Sequence, residues 1–247
     1  MRIISGQYRR RLLQSLPGTD VRPTADRLRE TLFNVLCAGN PDALAGSVWL
    51  DLYAGTGAVG IEALSRGARM VQFVESSKPA AELIGANLKS LGIKSGFKVL
   101  KADVGRALAQ LEGSGMMVDF VFLDPPYRMQ EEYQRTLQAL AKSKLLYSAG
   151  IVIAEHEKRF DPGEAFATLT RFRKIVQGDA GLSFYRRTPV VGLLLQEMTE
   201  SPERKLPPDR PESLESQPLS PQSNSKSQQL LTIRPAPLTG GCYEKIF

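Results

Sequence analysis

The strongest constraint in this sequence is the regular alternation of short apolar runs with helical segments between residues 48 and 156. The apolar runs are VWLDLY (48–53), VQFVE (71–75), FKVLKAD (97–103), DFVFLD (119–124) and GIVIAEH (150–156). One of the segments between them, PAAELIGANLKSLG, has helical length and is closed by Gly92. Strand–helix alternation predicts a parallel sheet with helices on both faces. The later runs RFRKIVQ and LSFYRR predict a closing antiparallel pair.

The two ends of the chain differ from this central part. RIIS and RRLLQ flank Gly6-Gln7 and predict a short hairpin, and a helix is expected to begin near Thr24, with Leu28, Leu32 and Leu36 on one face. From residue 201 onward the chain holds eight of its sixteen prolines and no apolar periodicity, so we expect disorder there. We predict an amino-terminal extension (1–40), a catalytic domain (41–190) and a mostly disordered Pro/Ser-rich tail (191–247).

The net charge of +6 is concentrated at the amino terminus. Residues 1–30 carry seven arginines and three acidic residues, which is a net charge of +4. Arginine grips phosphates through paired hydrogen bonds, so a basic arm of this kind suits a nucleic acid. On charge alone, a solvated arm that only aids solubility fits equally well. The residues that we predict to contact RNA are Arg2, Arg9, Arg10, Arg11, Arg22 and Arg27.

The composition excludes several classes of protein. There is no run of eighteen apolar residues to span a membrane, and the basic amino terminus lacks the apolar region of a signal peptide. Cys37 and Cys242 are too few for a disulfide framework or a cysteine-rich zinc site. The single histidine, His156, excludes His-based triads and H-E-x-x-H zinc sites. We therefore expect a cytoplasmic protein, without a bound metal, and a monomer.

Acidic residues lie at the ends of four successive predicted strands. In open parallel sheets, ligands bind beyond the carboxyl ends of the strands. A single acid at such a place is commonly a helix cap or a turn residue, whereas four in succession predict a binding site along that edge of the sheet. The four residues are Asp51, Glu75, Asp103 and Asp124.

A glycine-rich loop, Gly55 to Gly60, follows the first strand in the pattern G-x-G-x-x-G. This pattern is typical of dinucleotide sites, and Glu75 is placed to accept from the ribose hydroxyls of either NAD or S-adenosylmethionine. Asp51 favours S-adenosylmethionine over NAD, because a carboxylate just ahead of the loop repels a pyrophosphate but suits an ammonium and a sulfonium. Asp103 is then expected near the adenine amino group. The predicted donor-binding residues are Asp51, Ala54, Gly55, Gly57, Glu75, Asp103 and Asp124.

The tetrapeptide Asp124-Pro125-Pro126-Tyr127 ends the fourth strand with groups suited to methylating an exocyclic amine. Such an amine is a poor nucleophile, because its lone pair is conjugated into the ring. The Asp124 carboxylate and the Pro125 carbonyl can accept both N–H hydrogens and stabilise the charge that develops on nitrogen. The prolines fix the loop, and Tyr127 offers a stacking face to the base. We predict these four residues as the catalytic set; the alternative is a plain strand-ending turn.

These motifs resemble those of a known family. DLYAGTG, VE and LDPPY resemble motifs I, II and IV of class I S-adenosylmethionine-dependent methyltransferases that modify exocyclic amines. MRIISGQYRRRLL, RPTADRLRETLFNVL and EALSRGA closely resemble the RsmD family of bacterial 16S rRNA guanine-N2 methyltransferases, over about residues 1–187. The tail after about residue 190 has no counterpart in that family pattern.

The resemblance implies a Rossmann-like, seven-stranded sheet with helices on both faces and a small amino-terminal extension that contacts RNA. It implies S-adenosylmethionine as cofactor, and 16S rRNA or a small ribosomal subunit particle as partner. By resemblance, Asp124 to Tyr127 hold the guanine, and the activity is of the 16S rRNA (guanine(966)-N2)-methyltransferase type.

Three other functions compete with this one. A DNA adenine-N6 methyltransferase also uses D-P-P-Y, but normally needs a sizeable target-recognition region, and only 67 residues separate Gly57 from Asp124. A protein glutamine methyltransferase favours Asn at the position of Asp124 and leaves the arginine-rich arm unexplained. A catalytically inert RNA-binding assembly factor on the same fold has no need of an intact D-P-P-Y.

Overall fold

The computed structural model describes residues 1–15, 23–126 and 128–188. Two of the predicted site residues, Arg22 and Tyr127, and the predicted tail (191–247) lie outside the described residues. The helices are Pro23–Leu36 (α1), Ala58–Ser65 (α2), Lys78–Ser90 (α3), Val104–Gly113 (α4) and Gln130–Lys142 (α5). The strands are Val48–Leu52 (β1), Met70–Val74 (β2), Phe97–Leu100 (β3), Val118–Leu123 (β4), Leu146–Glu157 (β5), Ala165–Phe166 (β6), Leu169–Gln177 (β7) and Ala180–Arg187 (β8).

The strands form one sheet in the order β3-β2-β1-β4-β5-β8-β7-β6. Strands β1 to β5 are parallel to one another, whereas β8 pairs antiparallel with β5, and β7 and β6 continue the sheet in antiparallel pairs. The predicted alternation and the closing antiparallel pair are therefore confirmed. The sheet has one strand more than the seven expected, because Ala165–Phe166 pairs with the start of β7 at the edge. A two-residue strand is too short to produce a recognisable sequence pattern.

Both faces of the sheet are covered by helices, which explains why the parallel strands are largely apolar. On one face, Trp49 of β1 stacks on Phe120 of β4 with ring centroids 4.8 Å apart, and Phe33 of α1 packs on Trp49. Helices α2 and α3 cover the same face, while α4 and α5 cover the other. The predicted apolar face of the first helix is confirmed, since Leu28, Leu32 and Leu36 are each 1% exposed.

The strand order reverses between β1 and β4. From β1 the chain runs outward through β2 to β3 and then crosses back to β4 on the other side of β1. A crevice is expected beyond the carboxyl ends of the strands at such a reversal. The glycine-rich loop after β1 and the residues Asp124-Pro125-Pro126 after β4 both lie at this point. Among the helices of the described ranges, none is long and apolar enough to cross a membrane.

The first fifteen residues turn back on themselves, as the predicted hairpin requires, but they form only one isolated bridge, between Arg2 and Leu12. The amide of Ile3 donates to the carbonyl of Arg11 at 2.9 Å. Other backbone groups of this segment bond to side chains of α2 and α3, so a longer ladder does not form. Helix α1 begins at Pro23, one residue before the predicted start, in keeping with the preference of proline for the first helical turn.

Candidate active site

A pocket of about 670 Å³ lies beyond the carboxyl ends of β1 to β4. Four of the predicted donor-binding residues line it: Gly55, Glu75, Asp103 and Asp124. Pro125 and Pro126 of the predicted catalytic set line it as well, so the structure brings the two predicted sites together in one cavity.

Glu75, directly after β2, is held by two backbone amides. One carboxylate oxygen accepts from the amide of Gly55 at 2.9 Å, and the other accepts from the amide of Ser77 at 2.7 Å. These bonds tie the glycine-rich loop to the end of β2 and fix the orientation of the carboxylate. Each oxygen has a second lone pair, so the side chain can also accept from a ligand's hydroxyls.

Asp51 and Gly57 lie behind the glycine-rich loop and do not line the pocket. Asp51 is 1% exposed and accepts from the amide of Gly60 at 2.9 Å. Burial raises the pKa of Asp51 to about 8, and the charges of Asp124 and Glu75 act in the same direction. Gly57 precedes α2 at a φ of 77°, and a Cβ there would lie 3.2 Å from Ile84. Both residues therefore stabilise the conformation of the loop from the protein interior and do not line the pocket.

The other predicted donor-binding residues have local roles that the structure makes clear. The amide of Ala54 donates to the carbonyl of Val74 at 3.0 Å, which joins the loop to β2. Asp103 caps α4 by accepting from the amide of Arg106 at 3.0 Å, and its side chain also lines the pocket. A carboxylate at a helix N-terminus interacts favourably with the helix dipole, which fixes Asp103 at the pocket wall.

Asp124 and Pro125 form the wall of the pocket at the end of β4. Burial raises the pKa of Asp124 to about 7. The hydroxyl of Tyr133 on α5, which is 1% exposed, donates to the carbonyl of Glu155 at 2.8 Å and lies 3.5 Å from the carbonyl of Pro125. Tyr133 thus fixes the Pro125 backbone beside the end of β5.

Tyr53 was not predicted from the sequence. It has a φ of 59°, a conformation that costs a bulky residue about 1–3 kcal/mol, and it lines the pocket. Its hydroxyl lies 3.0 Å from both Glu132 and Thr136 of α5. Burial raises the pKa of Tyr53 to about 12, so the hydroxyl stays protonated at neutral pH. A positive φ at a tyrosine has no sequence signature, which is why Tyr53 was not predicted.

A second cleft, of about 530 Å³, lies between the first fifteen residues and α1; we call it the arginine cleft. Four of the predicted RNA-contacting residues line it: Arg2, Arg9, Arg10 and Arg27. Asp26 and Glu30 line it too, so it is basic but not exclusively so. Arg11 is not part of it, because its guanidinium donates to the carbonyl of Ser90 at 3.1 Å.

The EALSR segment of α2 holds the amino-terminal extension against the catalytic domain. The carboxylate of Glu62, which is fully buried, accepts from the amides of Ile4 at 2.8 Å and Ser5 at 3.0 Å. The hydroxyl of Ser65 donates to the carbonyl of Ser5 and accepts from the amide of Tyr8 at 3.0 Å. This motif contributed to the family resemblance, but its role in docking the extension is visible only in the tertiary structure.

The comparisons with known proteins agree with this geometry. Residues 1–186 match the family described as Conserved hypothetical protein 95. The Bacillus subtilis protein YlbH is 33% identical over 187 residues, covering 76% of this chain and 99% of that protein. Ribosomal RNA small subunit methyltransferase D of Escherichia coli is 34% identical over 188 residues, covering 76% and 90%.

The fold agrees as well. The solved structure of the Escherichia coli protein yhhF superposes with a TM-score of 0.63 at 33% identity, covering 76% of this chain and 97% of that one. The predicted Rossmann-like class I methyltransferase sheet is therefore confirmed. The chain belongs to the Conserved hypothetical protein 95 family, which is the RsmD family.

Proposed function

We propose that this chain is an S-adenosylmethionine-dependent rRNA methyltransferase that modifies the exocyclic N2 amine of a guanine in the small ribosomal subunit. The observation that carries the proposal is the position of Asp124 and Pro125, which line the same pocket as Glu75 and Gly55. Groups suited to holding an amine thereby adjoin groups suited to holding the methyl donor. The name of the Escherichia coli relative supports rRNA of the small subunit as the substrate.

The donor site fits S-adenosylmethionine by its charge. Asp51, Glu75 and Asp124 lie close enough for their charges to raise the pKa of Asp51. Since Asp51, with its pKa raised to about 8, is protonated at neutral pH, it is the Glu75 carboxylate lining the pocket that favours a ligand with an ammonium and a sulfonium over one with a pyrophosphate. In this assignment Glu75 accepts from the ribose hydroxyls and Asp103 lies toward the adenine. When bound, S-adenosylmethionine supplies an electrophilic methyl group on its sulfonium.

Asp124 and the Pro125 carbonyl have the chemistry that the amine requires. Their oxygens accept the two N–H hydrogens of the guanine N2 amine, which favours the tetrahedral nitrogen needed for attack. As the N–C bond forms and the S–C bond breaks, the nitrogen becomes cationic and must lose one proton. The Asp124 carboxylate, with its pKa raised to about 7, is suited to take that proton near neutral pH. Tyr127 is proposed to stack on the base.

The arginine cleft is proposed to bind the RNA backbone. Arg2, Arg9, Arg10 and Arg27 surround one concavity of about 530 Å³, and guanidinium groups bind phosphates with paired hydrogen bonds. Arg11 and Arg22 are proposed to add further contacts to phosphate. The position of the target guanine, guanine 966 of 16S rRNA, follows from the family resemblance alone.

The proposal is tested by transfer of a labelled methyl group from S-adenosylmethionine to small-subunit particles that lack the modification. We expect wild-type protein to label their 16S rRNA, whereas the Asp124→Ala variant loses about 10³-fold or more in rate. Calorimetric titration with S-adenosylmethionine is the control, and we expect Asp124→Ala to bind the donor nearly as wild type does. Weak donor binding in that variant would instead assign Asp124 to the cofactor, and labelling of protein alone would contradict the proposal.

A further inference from the structure

Asp124 has an acidic neighbour on the adjacent strand. The register of β4 and β5 pairs Leu123 with Ala154, so the next residues, Asp124 and Glu155, lie side by side about 5 Å apart. Glu155 follows Ile153 by two residues, which places it on the face that α1 covers. Burial raises the pKa of Glu155 well above its ordinary value, and the charge of Asp124 acts in the same direction, which agrees with this proximity.

Neither carboxylate has a hydrogen-bond donor among the residues that the structure describes. The fully enclosed polar atoms without a partner in those residues are Nε of Arg29 and Oε1 of Gln72, and no oxygen of Asp124 or Glu155 is among them. The oxygens of the two acids therefore keep some solvent contact; Asp124 lines the donor pocket, and Glu155 lies next to Asp124 without lining the pocket itself. The oxygens of two partly buried acids that have no protein donor are available to accept hydrogen bonds from a bound group.

Arg29 connects these acids to the arginine cleft. It is 5% exposed, and its guanidinium donates to the carbonyl of Arg2 at 2.6 Å and to Asp26 at 3.0 Å. Arg2 and Asp26 line the arginine cleft, while Asp124 lines the donor pocket. The charge of Arg29 also lowers the pKa of Glu155. Glu155 thus lies between the proposed RNA-binding cleft and the proposed site of methyl transfer, and Arg29 offsets only part of the rise that burial causes in its pKa.

Two neighbouring acceptors match the edge of guanine and not that of adenine. In guanine, the N2 amine lies beside the N1–H group, so two adjacent positions donate. In adenine, the N6 amine lies beside N1, which carries a lone pair. That lone pair and a carboxylate oxygen would repel each other. A site whose buried acceptors are left unpaired by the wrong base discriminates strongly against that base.

We propose that Glu155 is a specificity-determining residue, which accepts the N1–H of the target guanine while Asp124 accepts from its N2 amine. This assignment rests on the proposed function and names the base that the same site selects. Glu155 lies near the carboxyl end of β5, as the four predicted acids lie at or near the ends of their strands, so the pattern of acids at strand ends already contained a signal for it.

The assignment is tested with small-subunit particles reconstituted from 16S rRNA that carries either guanine or 2-aminopurine at the target position. 2-Aminopurine keeps the N2 amine but has a lone pair at N1 in place of N1–H. For wild-type protein we expect kcat/KM about 10²-fold lower on 2-aminopurine. Glu155→Gln offers N1 an amide donor as well as an acceptor, so we expect this preference for guanine to fall to about 10-fold or less.

Glu157→Gln is the matched control, since Glu157 is an exposed acid two residues along the same strand, and we expect it to keep the wild-type preference. Thermal melting and donor titration establish that each variant is folded. If Glu155→Gln does not fold, Glu155→Asp serves instead: it withdraws the acceptor by one methylene and is expected to slow guanine methylation about 10-fold while keeping the preference.

A folded Glu155→Gln protein with the wild-type preference would overturn the assignment, as would a Glu155→Asp protein that methylates guanine at the wild-type rate. Failure of wild-type protein to methylate the guanine-containing particles would be a different result, because it would overturn the proposed function and the assignment of Glu155 with it.

Discussion

The side chain of Asn87 on α3 pairs with both backbone groups of Gln14 in the amino-terminal extension. Its carbonyl oxygen accepts from the Gln14 amide at 2.8 Å, and its amide nitrogen donates to the Gln14 carbonyl at 3.1 Å. The same nitrogen donates to the carbonyl of Thr56, in the glycine-rich loop, at 3.0 Å. Asn87 is fully buried, so one side chain joins the extension to the loop of the proposed donor site.

Replacing Asn87 with Leu should therefore disturb both regions. The substitution leaves the amide and carbonyl of Gln14 and the carbonyl of Thr56 without their partner, which costs about 3 kcal/mol. We expect Tm to fall by roughly 6–12 °C and affinity for S-adenosylmethionine to weaken. Glu82→Gln, an exposed substitution on the same helix, is the control and should change neither quantity. An Asn87→Leu protein with wild-type Tm would show that these hydrogen bonds do not stabilise the extension.

The closeness of the extension to α2 can be tested at Gly6. A Cβ at this position would lie 1.8 Å from the carbonyl oxygen of Ser65, and φ is 81°. Gly6→Ala must therefore displace the extension, and we expect faster proteolysis within residues 1–15 and weaker RNA binding. Gly92→Ala is a matched control, because Gly92 has a φ of 72° but open space around it. It should cost only the roughly 1–2 kcal/mol of a left-handed backbone and leave RNA binding unchanged.

The raised pKa values in the site predict how stability depends on pH. Burial raises the pKa of Asp124 to about 7 and that of Asp51 to about 8, from an ordinary value of 3.8. The folded state thus holds protons that the unfolded chain has released, so this stabilising contribution is full below about pH 4 and is lost as pH rises through 7–8. Asp124→Asn removes one of these titrations.

We expect the Tm of Asp124→Asn to exceed that of wild type by a few degrees at pH 9, and this difference to shrink toward pH 5. Asp179→Asn, at an exposed acid before β8, should leave the pH dependence of Tm unchanged. A difference between Asp124→Asn and wild type that stays constant from pH 5 to pH 9 would mean that Asp124 does not titrate in this range.

Charge reversal in the arginine cleft tests the proposed RNA surface. The triple variant with Glu at Arg9, Arg10 and Arg27 removes three cations from one concavity. We expect RNA affinity to fall at least 10²-fold at low salt and the slope of log Kd against log salt to flatten, because fewer counterions are released on binding. A triple variant with Glu at the exposed residues Lys98, Lys142 and Lys144, which lie outside the cleft, controls for net charge. An unchanged salt slope in the arginine-cleft variant would show that the cleft does not contact phosphate.

Much of the fold could be predicted from the sequence because it depends on local patterns. Each of these patterns predicts the secondary structure of the segment in which it occurs, as the apolar runs, the leucines of α1 and the closing glycine of α3 do. Residues whose role depends on tertiary contacts could not be assigned in this way. Asn87 lies within an ordinary helical sequence, and Arg29 looks like any charged residue of α1 until the packing buries it.

In the proposed site too, the orientation of a side chain could not be predicted from the sequence, as Asp51 before the glycine-rich loop shows. Asp51 was expected to face the donor because it precedes the loop, but its partners in the register, Phe73 and Phe122, lie on the face that α2 covers. Its side chain therefore points beneath the loop, toward Gly60. Glu75 and Asp103 follow the last residues of their strands and reach the pocket. The side of a strand-end residue depends on register, which the sequence does not specify.

The most direct measurement is the identity of the methylated nucleoside in 16S rRNA from particles incubated with the protein and labelled S-adenosylmethionine. After digestion and mass analysis, we predict N2-methylguanosine at about one methyl group per particle, with none formed by Asp124→Ala. N6-methyladenosine as the labelled product would keep the methyltransferase fold but contradict the assignment of Asp124, Pro125 and Glu155 to a guanine edge.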